Sequence, residues 1–164
     1  MGRQTKVLEV DLAYIAGFLD GDGSIMVQLK NRRKNPRGWR LMFTICFYQD
    51  SRHEKPLFWI KRILGIGYIS RRKDGITELR INGYQRIRKI LKDLEPFLKF
   101  KKAQTKIFLK ILKLINDKNF VELSRKKRLK IADMIYESRQ LTYQSGWKKF
   151  SKSKSELRKI LGFY

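Results

Sequence analysis

Two aspartates, Asp20 and Asp22, close an apolar run, LAYIAGFLDGDGSI, that spans Leu12 to Ile25 and is interrupted by glycines. Acid is poorly placed there if the run is helical. The last carbonyls of a helix already carry partial negative charge, so a surface carboxylate beside them costs about 0.3–1 kcal/mol. One explanation is local: D-G-D-G is good turn chemistry after a helix, with glycine supplying positive φ. That leaves the small residues upstream unexplained. Ala13, Gly17 and Gly21 are spaced four apart and share one helical face with almost no side chain, so a second helix can approach closely. If that second helix is a copy of the first, packed in parallel about a two-fold axis, both Asp22 carboxylates meet at one end. They repel there unless a cation sits with them. A hard divalent ion such as Mg²⁺ takes carboxylate and carbonyl oxygens.

Composition limits what such a site acts on. The 164 residues hold 39 Lys+Arg against 15 Asp+Glu, a formal net charge of +24, with the basic residues spread along the whole chain. A polyanion is the natural partner, and nucleic acid is favoured over an anionic membrane because no amphipathic anchor, lipidation signal or long apolar run is present. A single cysteine, Cys46, excludes an internal disulfide framework, and a single histidine excludes a Cys/His zinc cluster within one chain. A metal must therefore be held mainly by oxygen. The opening MGRQTKVLEVD has no apolar h-region, so no cleavable secretory signal is expected. Richness in Lys, Ile, Asn and Phe is compatible with an AT-rich coding genome. An organelle, chloroplast or mitochondrion, is the expected location.

The elements that position the acids are legible from periodicity. Asp11 is the expected N-cap of a short helix running to about Gly21. From Ser24 the period becomes two, with Ile25, Val27 and Leu29 alternating with Met26, Gln28 and Lys30. A basic turn from Asn31 to Trp39 leads to a second strand, in which Leu41, Phe43, Ile45 and Phe47 alternate with polar neighbours. Pro56 and Gly65 bracket a helix. A second hairpin runs from Tyr68 through the turn Lys73-Asp74-Gly75 to Asn82. Ile87, Ile90, Leu91 and Leu94 then show helical spacing, as do Ile107, Phe108, Ile111, Leu112 and Ile115. The reading is one α+β domain over residues 1–164, with an αββαββα core at about 8–116 and basic helices at about 117–164. Helices pack on one face of an antiparallel sheet. The other face is expected to carry Gln28, Lys30, Arg32, Arg40, Thr44, Tyr68, Ser70, Arg72, Glu78 and Arg80. Any half-exposed sheet needs a polar face. This one mixes groups that match base edges and phosphates, and a twisted sheet can lie in the major groove.

LAYIAGFLDGDG, Leu12 to Gly23, resembles the signature of the LAGLIDADG homing endonucleases, and its place before a hairpin is the family's place. The resemblance extends through the αββαββα order to about residue 116. It includes a glutamine near the end of the second strand, IGYI at the third, and EPFLKFKKAQ at the last core helix. It implies a saddle-shaped antiparallel sheet and a dimer or pseudo-dimer built on the motif helices. Asp22 and the Gly21 carbonyl then face divalent metal, Mg²⁺ with Mn²⁺ or Ca²⁺ able to substitute in binding, while Asp20 has a local structural role. Gln49 matches a residue that orders water, and Lys101 the basic residue near the scissile phosphate. His53 stands where some members carry Arg or Lys, so His53, Arg52 and Lys55 all stay open for the second basic contact. One motif implies a homodimer joined through Ala13, Gly17 and Gly21, a near-palindromic double-stranded DNA site, and cleavage of both strands to leave 3′ overhangs.

Other readings fit less of the chain. GIGYIS lacks the paired tyrosines of the GIY-YIG nucleases, and a histidine-metal nuclease needs more than His53. An RNA-binding intron-splicing cofactor of the same fold is the alternative, with intron RNA as partner, yet such a protein need not keep Asp22, Gln49 and Lys101 together. A sheet-binding repressor without catalysis ranks below both. The basic segments Arg125 to Lys130 and Lys149 to Leu161 read as added phosphate contacts, which raise salt-dependent affinity rather than sequence choice.

Overall fold

A computed structural model describes residues 8–31, 39–116, 120–142 and 152–163. The elements are α1 (Glu9–Asp22), β1 (Gly23–Asn31), β2 (Trp39–Asp50), a 3₁₀ turn (Ser51–His53), α2 (Lys55–Leu64), β3 (Tyr68–Arg71), β4 (Ile76–Asn82) and α3 (Tyr84–Leu94). They continue with α4 (Lys102–Ile115), a second 3₁₀ turn (Phe120–Glu122), α5 (Arg125–Gln140) and α6 (Lys154–Gly162). The αββαββα order is the one periodicity predicts, and the sheet order is β1-β2-β4-β3 with both of β4's pairings antiparallel. The chain packs as two units, residues 1–26 with 43–102, and residues 27–42 with 103–164.

In the first unit α2 and α3 lie on β4, and α1 lies on α3. Its core is the apolar face of β2 and β4, namely Phe43, Ile45, Phe47, Leu79 and Ile81, closed by Ile15, Leu19, Leu57, Ile60, Ile87 and Leu91, all without exposed surface. Fully burying a side chain of this kind contributes about 1.5–3 kcal/mol. Pro56 sits in the first turn of α2 and Gly65 ends that helix at φ +67°, as the bracket predicts. The second unit has its own core of Phe108, Ile111, Ile131, Ile135, Leu157 and Leu161. There α5 packs along α6, whose start is fixed by a reciprocal capping box between Ser153 and Glu156.

Two local expectations are corrected. Leu8, not Asp11, stands at the N-cap of α1, and Asp11 lies in the first turn, where the positive end of the helix dipole favours a carboxylate. Nor does D-G-D-G form a left-handed turn. The helix runs through Asp22 and passes directly into β1 at Gly23 with extended backbone (φ −116°, ψ 171°). Gly23 is required for proximity: a Cβ there would lie 2.8 Å from the Leu19 Cα and 2.9 Å from its carbonyl oxygen.

Candidate active site

The two acids have different environments. The Asp20 carboxylate accepts the backbone N–H groups of Lys99 (2.6 Å), Phe100 (3.1 Å) and Lys101 (2.9 Å), so it fastens the 99–101 loop to the end of α1. Asp22, the last residue of that helix, is exposed, and no hydrogen bond or ion pair engages its carboxylate among the described residues. Lys101 joins the two. Its Nζ donates to the Asp20 carbonyl oxygen at 2.6 Å, satisfying one of the carbonyls a helix end leaves open. Burial pushes the Lys101 ammonium below its ordinary pKa, with the charges of Asp20 and then Asp22 opposing that shift.

These donors suit a hard cation. Asp22 offers a carboxylate that accepts no hydrogen bond among the described residues, and Gly21 lies in the last turn of α1, whose carbonyls a helix end leaves without the usual intrahelical donors. Among the described residues no three His, Cys, Asp or Glu side chains cluster in metal-binding geometry.

Gln49 and His53 belong to a neighbouring segment of the same unit. The Gln49 Oε1 accepts the Asp50 N–H at 2.8 Å, which leaves its amide hydrogens for other partners. Asp50 draws in Arg52, accepting its backbone N–H (2.8 Å), Nε (3.0 Å) and Nη2 (2.8 Å). Those Arg52 hydrogen bonds hold the Asp50 carboxyl far below the usual carboxylate range, with His53 adding to the effect. The three basic candidates of the sequence are thereby separated. Arg52 is committed to Asp50, whereas His53 in the 3₁₀ turn and Lys55 at the start of α2 are exposed and, among the described residues, hydrogen-bond no acid. The Gln49 side chain bonds Asp50 and His53 acts on Asp50 electrostatically, and among the described residues no hydrogen bond or ion pair joins either to Asp22 or Lys101.

Strand register brings the polar side chains of the first unit's sheet into rows: Thr44 opposite Asn82, Cys46 opposite Arg80 opposite Tyr68, and Tyr48 opposite Glu78 opposite Ser70. Tyr68, Ser70, Arg72 and Arg80 lie at least partly open, as expected. Thr44 and Glu78 do not. Thr44 is 1% exposed and donates to Asn82 Oδ1 at 2.7 Å, and Glu78 is 5% exposed and accepts from Arg72 Nη1 (3.1 Å) and Arg80 Nη2 (2.7 Å). Their polar atoms are spent on Asn82 and on the two arginines. Glu78 orients two arginines instead of meeting solvent. Tyr48, absent from the expected set, shares this face and hydrogen-bonds Ser24 at 2.9 Å; the same period of two that selected Thr44 points to it. In the other unit Gln28 and Lys30 alternate along β1 and Arg40 lies near the start of β2. Gln28 is half-buried, and Lys30 and Arg40 are exposed. Arg32 lies outside the described residues.

Ala13, Gly17 and Gly21 form an exposed line on α1, and a Cβ added at Gly17 or Gly21 would meet nothing within 4 Å. Val10, 76% exposed, and Tyr14, 58% exposed, extend the same uncovered side.

The geometry has counterparts. The DNA endonuclease I-CvuI of Chlorella vulgaris is 31% identical over 105 residues, 64% of this chain and 65% of that protein. The DNA endonuclease I-CreI of Chlamydomonas reinhardtii is 32% identical over 108 residues, 66% of each chain. The chain thus spans 65% and 66% of the length of these curated relatives. A crystal structure of the homing endonuclease I-CvuI in complex with its target, in the presence of calcium, aligns with a TM-score of 0.80 at 26% identity and covers 93% of both chains. The model of the LAGLIDADG endonuclease family matches residues 15–116, from inside the motif helix to the end of α4, and the chain belongs to that family.

Proposed function

We propose that the chain is a site-specific DNA endonuclease that acts as a homodimer on a near-palindromic duplex, hydrolysing one phosphodiester in each strand to leave 3′ overhangs. The observation that carries this reading is the exposed Asp22 carboxylate, without a partner among the described residues and close enough to Lys101 to act on its charge, at the end of a helix whose outer side none of those residues covers. A helix apolar or small all round is ordinarily covered on all sides, and a second copy of α1 is the cover that also brings a second Asp22. I-CvuI, crystallised with its target in the presence of calcium, supports both the DNA partner and a divalent ion, for which Mg²⁺ is the proposed species.

Asp22 and the Gly21 carbonyl would hold the ion. When bound there, it supplies positive charge that polarises phosphate and water oxygens. The chain's own groups do the rest. Lys101 presents a half-buried ammonium whose positive charge would stabilise the charge that develops on the phosphate. Gln49 keeps amide hydrogens available to orient a water, and His53 offers an exposed imidazole for a second phosphate contact. Tyr68, Ser70, Arg72 and Arg80 of the first unit would read bases of a half-site; Gln28, Lys30 and Arg40, and Arg32 by its position in the sequence, are proposed for the same task, while the basic segment from about 117 adds sequence-independent phosphate contacts. Selection of cut sites from a random duplex library with Mg²⁺ tests the reading. A palindromic consensus with staggered ends is expected; failure to enrich any cut sequence at several salt concentrations overturns it.

A further inference from the structure

The turn that carries His53 is tied to the β3–β4 hairpin by one continuous set of hydrogen bonds. The Ser51 N–H donates to the Gly75 carbonyl at 2.8 Å. Ser51 Oγ and Thr77 Oγ1 are 2.8 Å apart, and Thr77 Oγ1 donates to Glu54 Oε2 at 2.6 Å. Arg71 completes the set, its Nε at 2.9 Å from Glu54 Oε2 and 3.1 Å from Oε1, and its Nη2 at 2.5 Å from Oε1. Proton counting fixes the direction. An ionised carboxylate only accepts, so the single Thr77 hydroxyl hydrogen goes to Glu54, and Ser51 must donate to Thr77. Thr77 has no exposed surface. A hydroxyl so buried is costly unless both of its roles are used, and here both are. The Arg71 and Thr77 hydrogen bonds hold the Glu54 carboxyl below its ordinary pKa, in keeping with the charged form this direction requires.

The two ends of this network have different duties. Arg71 and Gly75 belong to the hairpin that bears Ser70, Arg72 and Arg80, the side chains placed to meet bases. Ser51 and Glu54 bracket Arg52 and His53. We infer that Ser51, Glu54 and Thr77 are positioning residues that hold the His53 turn at a fixed offset from the reading hairpin, so that seating of the hairpin on its sequence sets the imidazole beside the phosphate. The inference rests on the endonuclease reading, and it assigns work to three residues outside the acid motif. It also accounts for an acid, Glu54, next to a surface that must approach phosphates: Arg71 neutralises it.

The test uses the full-length chain and its selected site. Thr77→Val keeps the side-chain shape and removes the hydroxyl, and Thr77→Ser restores it. The valine variant is expected to lower kcat by about 10- to 100-fold, the cost of misplacing a reacting group by roughly an ångström, with KM and target affinity changed by less than about threefold. Serine is expected to recover most of the rate. Because the chain has one histidine, its imidazole C–H resonance reports the turn without assignment. That signal is expected to move in Thr77→Val but not in Thr77→Ser. Unchanged kcat, or an unmoved histidine signal, overturns the inference. If Thr77→Val does not fold, Glu54→Gln is put through the same measurements with the same criteria. The histidine signal needs no cleavage, so it tests the positioning role even if the endonuclease reading fails.

Discussion

At the residue scale the paired acids of the motif divide into one that holds the protein and one that is free to hold something else. Asp20 satisfies three backbone N–H groups of the 99–101 loop, whereas Asp22 satisfies none among the described residues. The same substitution should therefore have opposite consequences at the two positions. Asp20→Asn weakens three charge-assisted bonds and loosens the loop that aims Lys101, and it should destabilise the fold by about 1–3 kcal/mol. Asp22→Asn removes an exposed negative charge from a helix C-terminus and should leave the melting temperature unchanged or slightly raised, while cleavage is lost and target binding kept. Thermal melts run beside cleavage and gel-shift assays check both. A fall in the Asp22→Asn melting temperature matching that of Asp20→Asn would refute the division. Sequence alone could not separate the acids by physics. The partners of Asp20 lie about eighty positions further along the chain, and only family resemblance pointed to the difference.

At the element scale, what was legible followed from periodicity and from residues with strong backbone preferences. Pro56 and Gly65 marked the ends of α2, alternating runs marked three of the strands and the Lys73-Asp74-Gly75 turn placed the remaining one, because local sterics and one buried face dictate those features. Burial on the polar face was not legible. Whether Thr44 and Glu78 meet solvent depends on the partners that folding brings to them, Asn82 across the sheet for Thr44 and the Arg72 and Arg80 side chains for Glu78. The start of α1 was misread for a related reason: Asp11 is a good cap by type, but the helix begins a turn earlier, where Leu8 extends into it. The segment from Asp50 to Glu54 gives an element-scale prediction. Both carboxyls have folded pKa values below their unfolded ones, Asp50 through Arg52 and Glu54 through Arg71 and Thr77. Their contribution to stability is accordingly full above the unfolded carboxylate pKa of about 4 and disappears as pH falls through the lower folded values. Melting temperature should decline more steeply between about pH 5 and 2 in the wild-type chain than in Glu54→Gln. Parallel curves for the two would show that the Glu54 network does not stabilise the turn.

For the whole molecule, a net charge of +24 and an uncovered helix face present separate problems with linked solutions. Like charge on two copies opposes association, so a dimer needs a contact that is close, apolar and unobstructed. The side of α1 formed by Val10, Ala13, Tyr14, Gly17 and Gly21 meets that need: a Cβ at Gly17 finds no neighbour within 4 Å, so the space is available to a second backbone. A polyanion bound across both copies would then offset the repulsion, because each phosphate contact also releases counterions. Gly17→Leu places a branched side chain in that space without disturbing the monomer, since nothing in the chain itself opposes it. The substituted protein should fold with an unchanged melting temperature, sediment as a monomer at concentrations where the wild type is a dimer, and lose double-strand cleavage. It should still bind a single half-site, with a salt dependence about half as steep as that of the wild type on the full site, because half of the phosphate contacts remain. A dimer surviving Gly17→Leu in sedimentation would remove α1 from the interface and, with it, the reason for pairing the two Asp22 carboxylates.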